Sequence, residues 1–401
     1  MKRWLYQCLD KTLLYPVRVQ NCSQTLYEAL VGCLRMTKAT GDAVWRKRAD
    51  TVCQRLIDIQ QPDGGFDIGY DFNFGRLHSK GESTSPELRG LLALMLYYEV
   101  DPRKDVANAA QRAASWIEQH AYPIDTARWT IPYAPYSTRE VMVYNGVSFV
   151  ASALGLYLSA FPNDRLRECY EGMVRYLLDV LIVPNEGSGY WPYADRTRTD
   201  LSAEQRGKID NYHQMQQVEV HAIAQVRTPL DEQEVLIRKA SAYVRSLMDA
   251  NGLVPYYNNC RESPIHVWGY ASCVSGFLLA SESIPSRRAD YRAAAEQVVR
   301  WLLDHAWNGA FFWPILGREG IPLDRRYYVR SDAWVFNALA LAMQNGLDVE
   351  ASVMEATYTR MEEQDFSGIE NHATSPRIRF VRAALNGAGG ILKSKAKATS
   401  A

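Results

Sequence analysis

Gly187-Ser188-Gly189-Tyr190-Trp191-Pro192-Tyr193 sits between two pairs of amphipathic segments. The pair before it covers 142–160 and 163–182; the pair after it covers 211–226 and 231–249. The segments within each pair are joined by short breakers, Pro162-Asn163-Asp164 and Thr228-Pro229, and short turns make antiparallel neighbours. Working outward, four more pairs follow the same plan: 21–38 with 42–60, 85–100 with 103–120, 267–283 with 288–305, and 329–345 with 348–363. Long connections with the texture of 187–193 follow the other pairs too, as in Gln60-Gln61-Pro62-Asp63-Gly64-Gly65-Phe66, Trp129-Thr130-Ile131-Pro132-Tyr133, Asn251-Gly252-Leu253-Val254-Pro255-Tyr256 and Asn308-Gly309-Ala310-Phe311-Phe312-Trp313-Pro314. Most combine a glycine turn suited to a helix C-terminus, an aromatic or apolar plug, and a proline. The pairs recur at a mean spacing of about 62 residues, a fixed period that signals a repeat architecture.

Six hairpins with alternating short and long connections predict an all-α fold, a closed (α/α)6 toroid. Leu91-Leu92-Ala93-Leu94-Met95-Leu96 and Phe336-Asn337-Ala338-Leu339-Ala340-Leu341 are apolar nearly all round, so the first helix of each pair is expected inside. Segments 42–60 and 288–305 carry charge on one face and are expected outside. The expected organisation is an N-terminal helix over 1–20, the toroid over 21–386 and a disordered basic tail over 387–401. It replaces the two or three domains that 401 residues alone suggest.

Composition narrows the function. Forty-five basic and 45 acidic side chains cancel, which argues against a nucleic-acid partner held by bulk charge. No apolar run approaches the roughly 20 residues of a membrane span. The opening Met1-Lys2-Arg3-Trp4-Leu5-Tyr6 is basic like a signal peptide, but Gln7, Asp10 and Lys11 break the apolar stretch. Seven scattered cysteines without a CxxC pair fit reduced thiols and a cytoplasmic location. The 24 Tyr and 10 Trp outweigh 11 Phe, which suits a wet, aromatic-lined surface of the kind sugars favour, although a large core can also hold them.

The hairpin count and loop texture resemble the six-hairpin glycosidase superfamily, which implies a carbohydrate ligand. Gln60 to Phe66 also resembles a structural turn of terpenoid cyclase and prenyltransferase toroids. Gly189-Tyr190-Trp191-Pro192-Tyr193 followed by Ile209-Asp210-Asn211-Tyr212-His213 resembles a segment of toroid proteins of bacterial polysaccharide biosynthesis. The chain departs from that segment at Gln214-Met215, where Thr-Gly is expected.

Long loops and inner-helix N-termini converge on one mouth, so candidates are ranked by whether they fall there. Asp210 is placed as a helix cap or as a catalytic carboxylate. His213, Gln217, His221 and Gln225 follow at i, i+4 steps, either lining a lumen or forming a satisfied network. Glu87 with Thr84 matches a capping box, yet Glu82, Glu87 and Arg89 also fall near the mouth, and Arg suits a carboxylate-bearing sugar. Tyr328, Arg330, Asp332 and Trp334 form the densest sugar-binding signature, with Ser331 expected to cap their helix. Tyr144-Asn145 and His266-Val267-Trp268 hold equivalent positions.

The expected catalytic candidates are therefore Asp210, His213, Glu87, Asp332 and Tyr212. The expected binding residues are Asn145, Trp191, Tyr193, Asn211, Gln217, Trp268, Tyr328, Arg330, Trp334 and Arg89. No metal set and no cofactor is expected, and the partner is an oligo- or polysaccharide. Glycoside hydrolysis needs two carboxylates, which Glu87, Asp210 and Asp332 can supply, and is the first expectation. A lyase or uronate C5-epimerase, built on Tyr212, His213, Asn145 and Arg330, is the second. A non-catalytic glycan-binding toroid stays open; a terpenoid cyclase is disfavoured because neither DxDD nor DDxxD occurs.

Overall fold

The computed structural model describes residues 18–19, 23–69, 72–73, 77–78, 81–136, 142–194, 209–257 and 263–369. Among them twelve α-helices form the six expected hairpins: α1 Ser23–Thr40 with α2 Ala43–Asp58, α3 Arg89–Tyr98 with α4 Lys104–His120, and α5 Tyr144–Ala160 with α6 Asp164–Asp179. Then follow α7 Asn211–Gln225 with α8 Asp231–Leu247, α9 Val267–Ser283 with α10 Arg288–Trp301, and α11 Val329–Gln344 with α12 Ala351–Glu363. The odd-numbered helices are inner. Each packs against the next around a ring, and α11 returns to α1. Arg18–Val19 pairs antiparallel with Gly368–Ile369 and brings the two ends of the ring together. Of the helix expected over 1–20, only this strand falls among the described residues, and the tail expected over 387–401 lies outside them. No helix among the described residues is long and apolar enough to cross a membrane.

The burial pattern follows the sequence pattern. Along α5 every residue from Tyr144 to Leu158 is buried, as two-sided packing requires. Outer helix α6 buries Leu166, Cys169, Tyr170, Met173, Val174 and Leu177 on one face, and Asn163 caps it by accepting from the Leu166 N–H at 2.9 Å. Inner helices approach closely where glycine allows: a Cβ on Gly269 of α9 would sit 2.0 Å from the Tyr212 ring of α7. Gly64 in the Gln60–Phe66 turn has φ +93°, and a Cβ there would meet the Arg112 carbonyl at 2.4 Å, so the turn needs glycine twice over. Cys33, Cys53, Cys169 and Cys273 are buried free thiols.

Two helix starts differ from expectation. Ser85–Leu88 forms a 3-10 turn before α3, and Thr84 makes no side-chain cap bond. The Glu87 carboxylate is instead taken by Ser23 and Gln24 of α1, a tertiary partner that outcompetes the local capping box. Ser331 does not cap α11 either; Tyr328 occupies the cap position without a side-chain bond.

Trp191 closes the gap between hairpins as the loop texture suggests. It is fully buried and its indole N–H donates to the Leu177 carbonyl at 2.8 Å. Trp191→Ala is expected to cost about 3–5 kcal/mol. Urea unfolding of the variant measures it, and a loss below about 1 kcal/mol would show that the loop, not the ring, bears on stability there.

Candidate functional site

The inner-helix N-termini open onto a cavity of about 350 Å³. Its lining comes from the starts of five inner segments: Gln24 from α1, Asn145 and Phe149 from α5, His213 and Gln216 from α7, Trp268 from α9, and Arg330 from α11. Tyr133, Tyr193, Tyr256, Tyr257, His266 and Tyr328 come from the long loops. Arg330 is the only Lys or Arg among the described lining residues, and none of them is Asp or Glu. A small recess beside the cavity shares Asn145, Tyr193 and His213 with it and adds Asp210 and Gln217.

Asp210 does two things at once. Its Oδ1 accepts from the Tyr212 and His213 N–H groups at 3.1 and 3.3 Å, which caps α7. Its Oδ2 lies 3.1 Å from His213 Nδ1. The cap and the imidazole partner are the same carboxylate. Because Asp210 is 1% exposed and His213 keeps 17% of its side chain exposed, the pair points from wall to cavity. The two atoms are close and both buried, but their geometry is not that of a hydrogen bond; the carboxylate holds a negative charge beside this face of the ring. Tyr256 also hydrogen-bonds Asp210, and burial pushes its phenol well above the ordinary tyrosine range. The Tyr256 ring lies 4.5 Å from the His266 ring, and the His213 ring lies 5.5 Å from Tyr193 and 6.2 Å from Trp268. Two imidazoles and a group of aromatic faces thus share one cavity. Arg330 lies 5.9 Å from the Trp268 ring and donates to Gln24 Oε1 at 2.6 Å.

Of the expected residues, Asn145, Tyr193, His213, Trp268, Tyr328 and Arg330 are brought together in the cavity, with Asp210 and Gln217 beside it. The others lie in the walls. Tyr212 is fully buried, packs on Gly269 and donates to the Val254 carbonyl at 3.3 Å. Asn211 donates to the Pro255 carbonyl at 2.8 Å. Trp191 is the plug described above. Asp332 is fully buried and accepts from the Phe312 N–H at 3.2 Å, and burial raises its carboxyl well above the usual range. Glu87 is fully buried behind Gln24. Arg89 sits below the cavity on the toroid axis, paired with Glu28 at 3.1 Å and stacked 3.8 Å over Phe149 and 4.4 Å over Trp334.

The polar stripe of α7 divides with depth. Gln217 accepts from Ser148 Oγ at 2.8 Å. His221 is fully buried, accepts from Gln233 Nε2 at 3.0 Å, and burial pulls its pKa down to about 3, so it is neutral. Gln225 accepts from the Leu230 N–H. Only His213 reaches the lumen. Several lining residues were not singled out from sequence: Gln24, Tyr133, Phe149, Gln216 and Tyr257. Gln24 holds the same helix-start position in the first hairpin as Asn145 does in the third, and that equivalence was the available signal.

No protein-family model matches the chain, and no curated protein matches it in sequence. Solved structures do match in shape. A sugar epimerase from a ruminal bacterium superposes with a TM-score of 0.61 at 13% identity, over 82% of this chain and 88% of that one. Cellobiose 2-epimerase from Spirochaeta thermophila gives 0.60 at 14% identity, over 86% and 88%. A family 76 glycoside hydrolase (mannosidase) from Bacteroides thetaiotaomicron gives 0.56 at 12% identity, over 82% and 89%. Identity this low speaks to fold alone: the chain has the six-hairpin (α/α)6 toroid architecture that these epimerases and hydrolases have in common.

Proposed function

We propose that this protein is a carbohydrate-active enzyme that binds a saccharide in the mouth cavity and moves a proton at a sugar carbon, as an epimerase, isomerase or lyase does. The observation that carries this reading is the Asp210–His213 pair at the cavity edge. We read this contact as the start of a hydrogen bond that tightens when substrate binds, which would hold the proton on Nδ1 and leave Nε2 as the base. His266, the second imidazole of the cavity, is the candidate for returning or accepting a proton on another side. Tyr193, Tyr256, Tyr257 and Trp268 supply the apolar faces and polar tips on which pyranose rings stack. Arg330 and Asn145 are the candidates for neutralising charge that develops on a sugar carbonyl or carboxylate.

Glycoside hydrolysis is the second reading, favoured by the hydrolase of the same fold. It needs two carboxylates flanking the bond, and Asp210 is the one the described recess offers. We place the protein in the cytoplasm of a bacterium, in cell-surface polysaccharide metabolism. The buried free thiols support a reducing compartment, and the Gly189–Tyr193 and Ile209–His213 segments support the pathway.

Incubation with neutral and acidic mono- and disaccharides in D2O, followed by proton NMR, separates these readings. Proton transfer at carbon is expected to erase one C–H signal and produce an epimer, ketose or unsaturated sugar. Release of a reducing end without deuterium at carbon would assign hydrolysis. Binding with neither change would leave a glycan-binding toroid.

A further inference from the structure

We propose that Glu87 is a positioning residue, which sets Arg330 in the mouth cavity by fixing which way the side-chain amide of Gln24 points. The inference rests on the mouth cavity being the substrate site, and it concerns how that site is held.

The geometry is a relay of three side chains from three elements. Arg330 and Gln24 line the cavity; Glu87, on the turn before α3, does not. Arg330 Nη2 donates to Gln24 Oε1 at 2.6 Å. Gln24 Nε2 donates to Glu87 Oε1 at 2.5 Å. The main-chain N–H of Gln24 donates to Glu87 Oε2 at 3.1 Å, and the single Ser23 Oγ proton is shared between the same oxygen and the Glu87 carbonyl. An amide has one donor end and one acceptor end. A carboxylate at Oε1 takes the donor end, so the acceptor end faces the guanidinium. If the group at that position becomes a donor, the amide turns over and presents its NH2 to Arg330, which has no acceptor to meet it.

The chain can make that change in two ways. In Glu87→Gln the side chain of residue 87 must keep its oxygen at the Oε2 position, where the Gln24 main-chain N–H requires an acceptor. Its NH2 then occupies the Oε1 position and faces Gln24. Protonation of Glu87 acts alike when the proton goes to Oε1, the side away from the Gln24 N–H, which keeps Oε2 an acceptor. Burial pushes Glu87 up to about 7, opposed by Ser23, Arg330 and the Gln24 N–H and reinforced by Asp67. Arg89 is the other charged group within its electrostatic reach. The change is therefore available near neutrality: above about pH 7 Glu87 is an acceptor, and below it a donor.

Crystal structures of the full chain at pH 8.5, wild type and Glu87→Gln, test the relay without any assay. The wild type is expected to keep the Arg330–Gln24 contact, and Glu87→Gln to lose it, with Arg330 in another rotamer. The wild type at pH 5.5 is expected to resemble the variant, which keeps the test alive if Glu87→Gln does not fold. Retention of the contact in either state would overturn the proposal. With whichever saccharide the D2O screen shows to turn over, Glu87→Gln is expected to raise KM at least about tenfold at pH 8 while kcat stays within about twofold. Its KM is expected to be flat between pH 6 and 8, where the wild-type KM rises as pH falls. A fall in kcat with KM unchanged would also overturn the proposal. If no saccharide turns over, the proposed function fails while the crystallographic result still decides the relay.

Discussion

Asp210→Asn is expected to abolish most turnover while leaving the fold intact, and His213→Ala to do the same by the direct route. Removing a general base costs about 10²–10⁴-fold in kcat. His213→Ala takes away the imidazole outright. Asp210→Asn is the more informative change. Asparagine caps helices about as well as aspartate, so its Oδ1 keeps the Tyr212 and His213 N–H bonds and stability should move by less than about 1 kcal/mol. Its amide NH2, however, replaces the oxygen that lies 3.1 Å from His213 Nδ1. That nitrogen must then accept, and the ring proton moves to Nε2, the atom that the cavity needs bare. The expected result is a folded protein with unchanged helix content that binds saccharide and turns it over about 10²-fold or more slowly. Asp210→Ala separates the two tasks, because it loses the cap as well and should add about 1 kcal/mol of destabilisation. Steady-state rates beside urea unfolding measure both. Turnover unchanged in Asp210→Asn would reduce Asp210 to a helix cap and remove His213 from the chemistry.

The sequence carried the hairpins because their determinants are local. Pro162-Asn163-Asp164 and Gly346-Leu347-Asp348 stop helices whatever the rest of the chain does, and all-round apolarity along 144–158 leaves the inside of the ring as the place for α5. The mouth was also legible, because helix starts and long loops meet there by topology. What topology does not encode is azimuth. Successive residues on a helix are turned by about 100°. His213 therefore reaches the cavity while Tyr212, one residue earlier, packs on Gly269 in the wall. Arg330 faces the cavity while Asp332, two residues on, turns to the Phe312 N–H. Glu87 and Arg89 show a second limit. Each satisfied a plausible local rule, a capping box and a mouth arginine, but their partners Ser23, Gln24 and Glu28 lie more than sixty residues away on α1. Those pairings exist only once the ring has closed.

The same distant pairing makes Arg89 exacting for stability. Below the cavity the inner helices hold a network of charged side chains. Arg89 pairs with Glu28 at 3.1 Å, Asn337 donates to the other Glu28 oxygen at 2.5 Å, and Arg35 bonds Asn337 at 2.7 Å and Glu219 at 3.3 Å. Burial, reinforced by Glu219, pushes Glu28 up to about 8, while Arg89 and Asn337 hold it down. Arg89→Met fills similar volume but leaves Glu28 without its cation. Glu28 holds its proton at pH 6, so the cost there is that of two buried acceptors, on Glu28 and Gln216, left without their donor, about 1–3 kcal/mol each. The sign with pH follows from linkage. Glu28 has a folded pKa of about 8 above its ordinary 4.5, so between those values the folded chain holds a proton that the unfolded chain has lost. Glu28 therefore favours the fold fully below about pH 4.5, and this contribution is lost as pH rises through about 8. Removing Arg89, which holds that pKa down, moves the loss to higher pH and keeps Glu28 protonated at neutrality. The double variant Arg89→Met with Glu28→Gln removes the ionisable group as well and is expected to recover part of the single variant's loss, more of it at pH 9, where the single variant must keep Glu28 protonated, than at pH 6. Urea unfolding at pH 6 and pH 9 measures each term. A single-variant cost below about 1 kcal/mol, or a double variant worse than the single, would mean that the axial network is not what holds the ring together beneath the site.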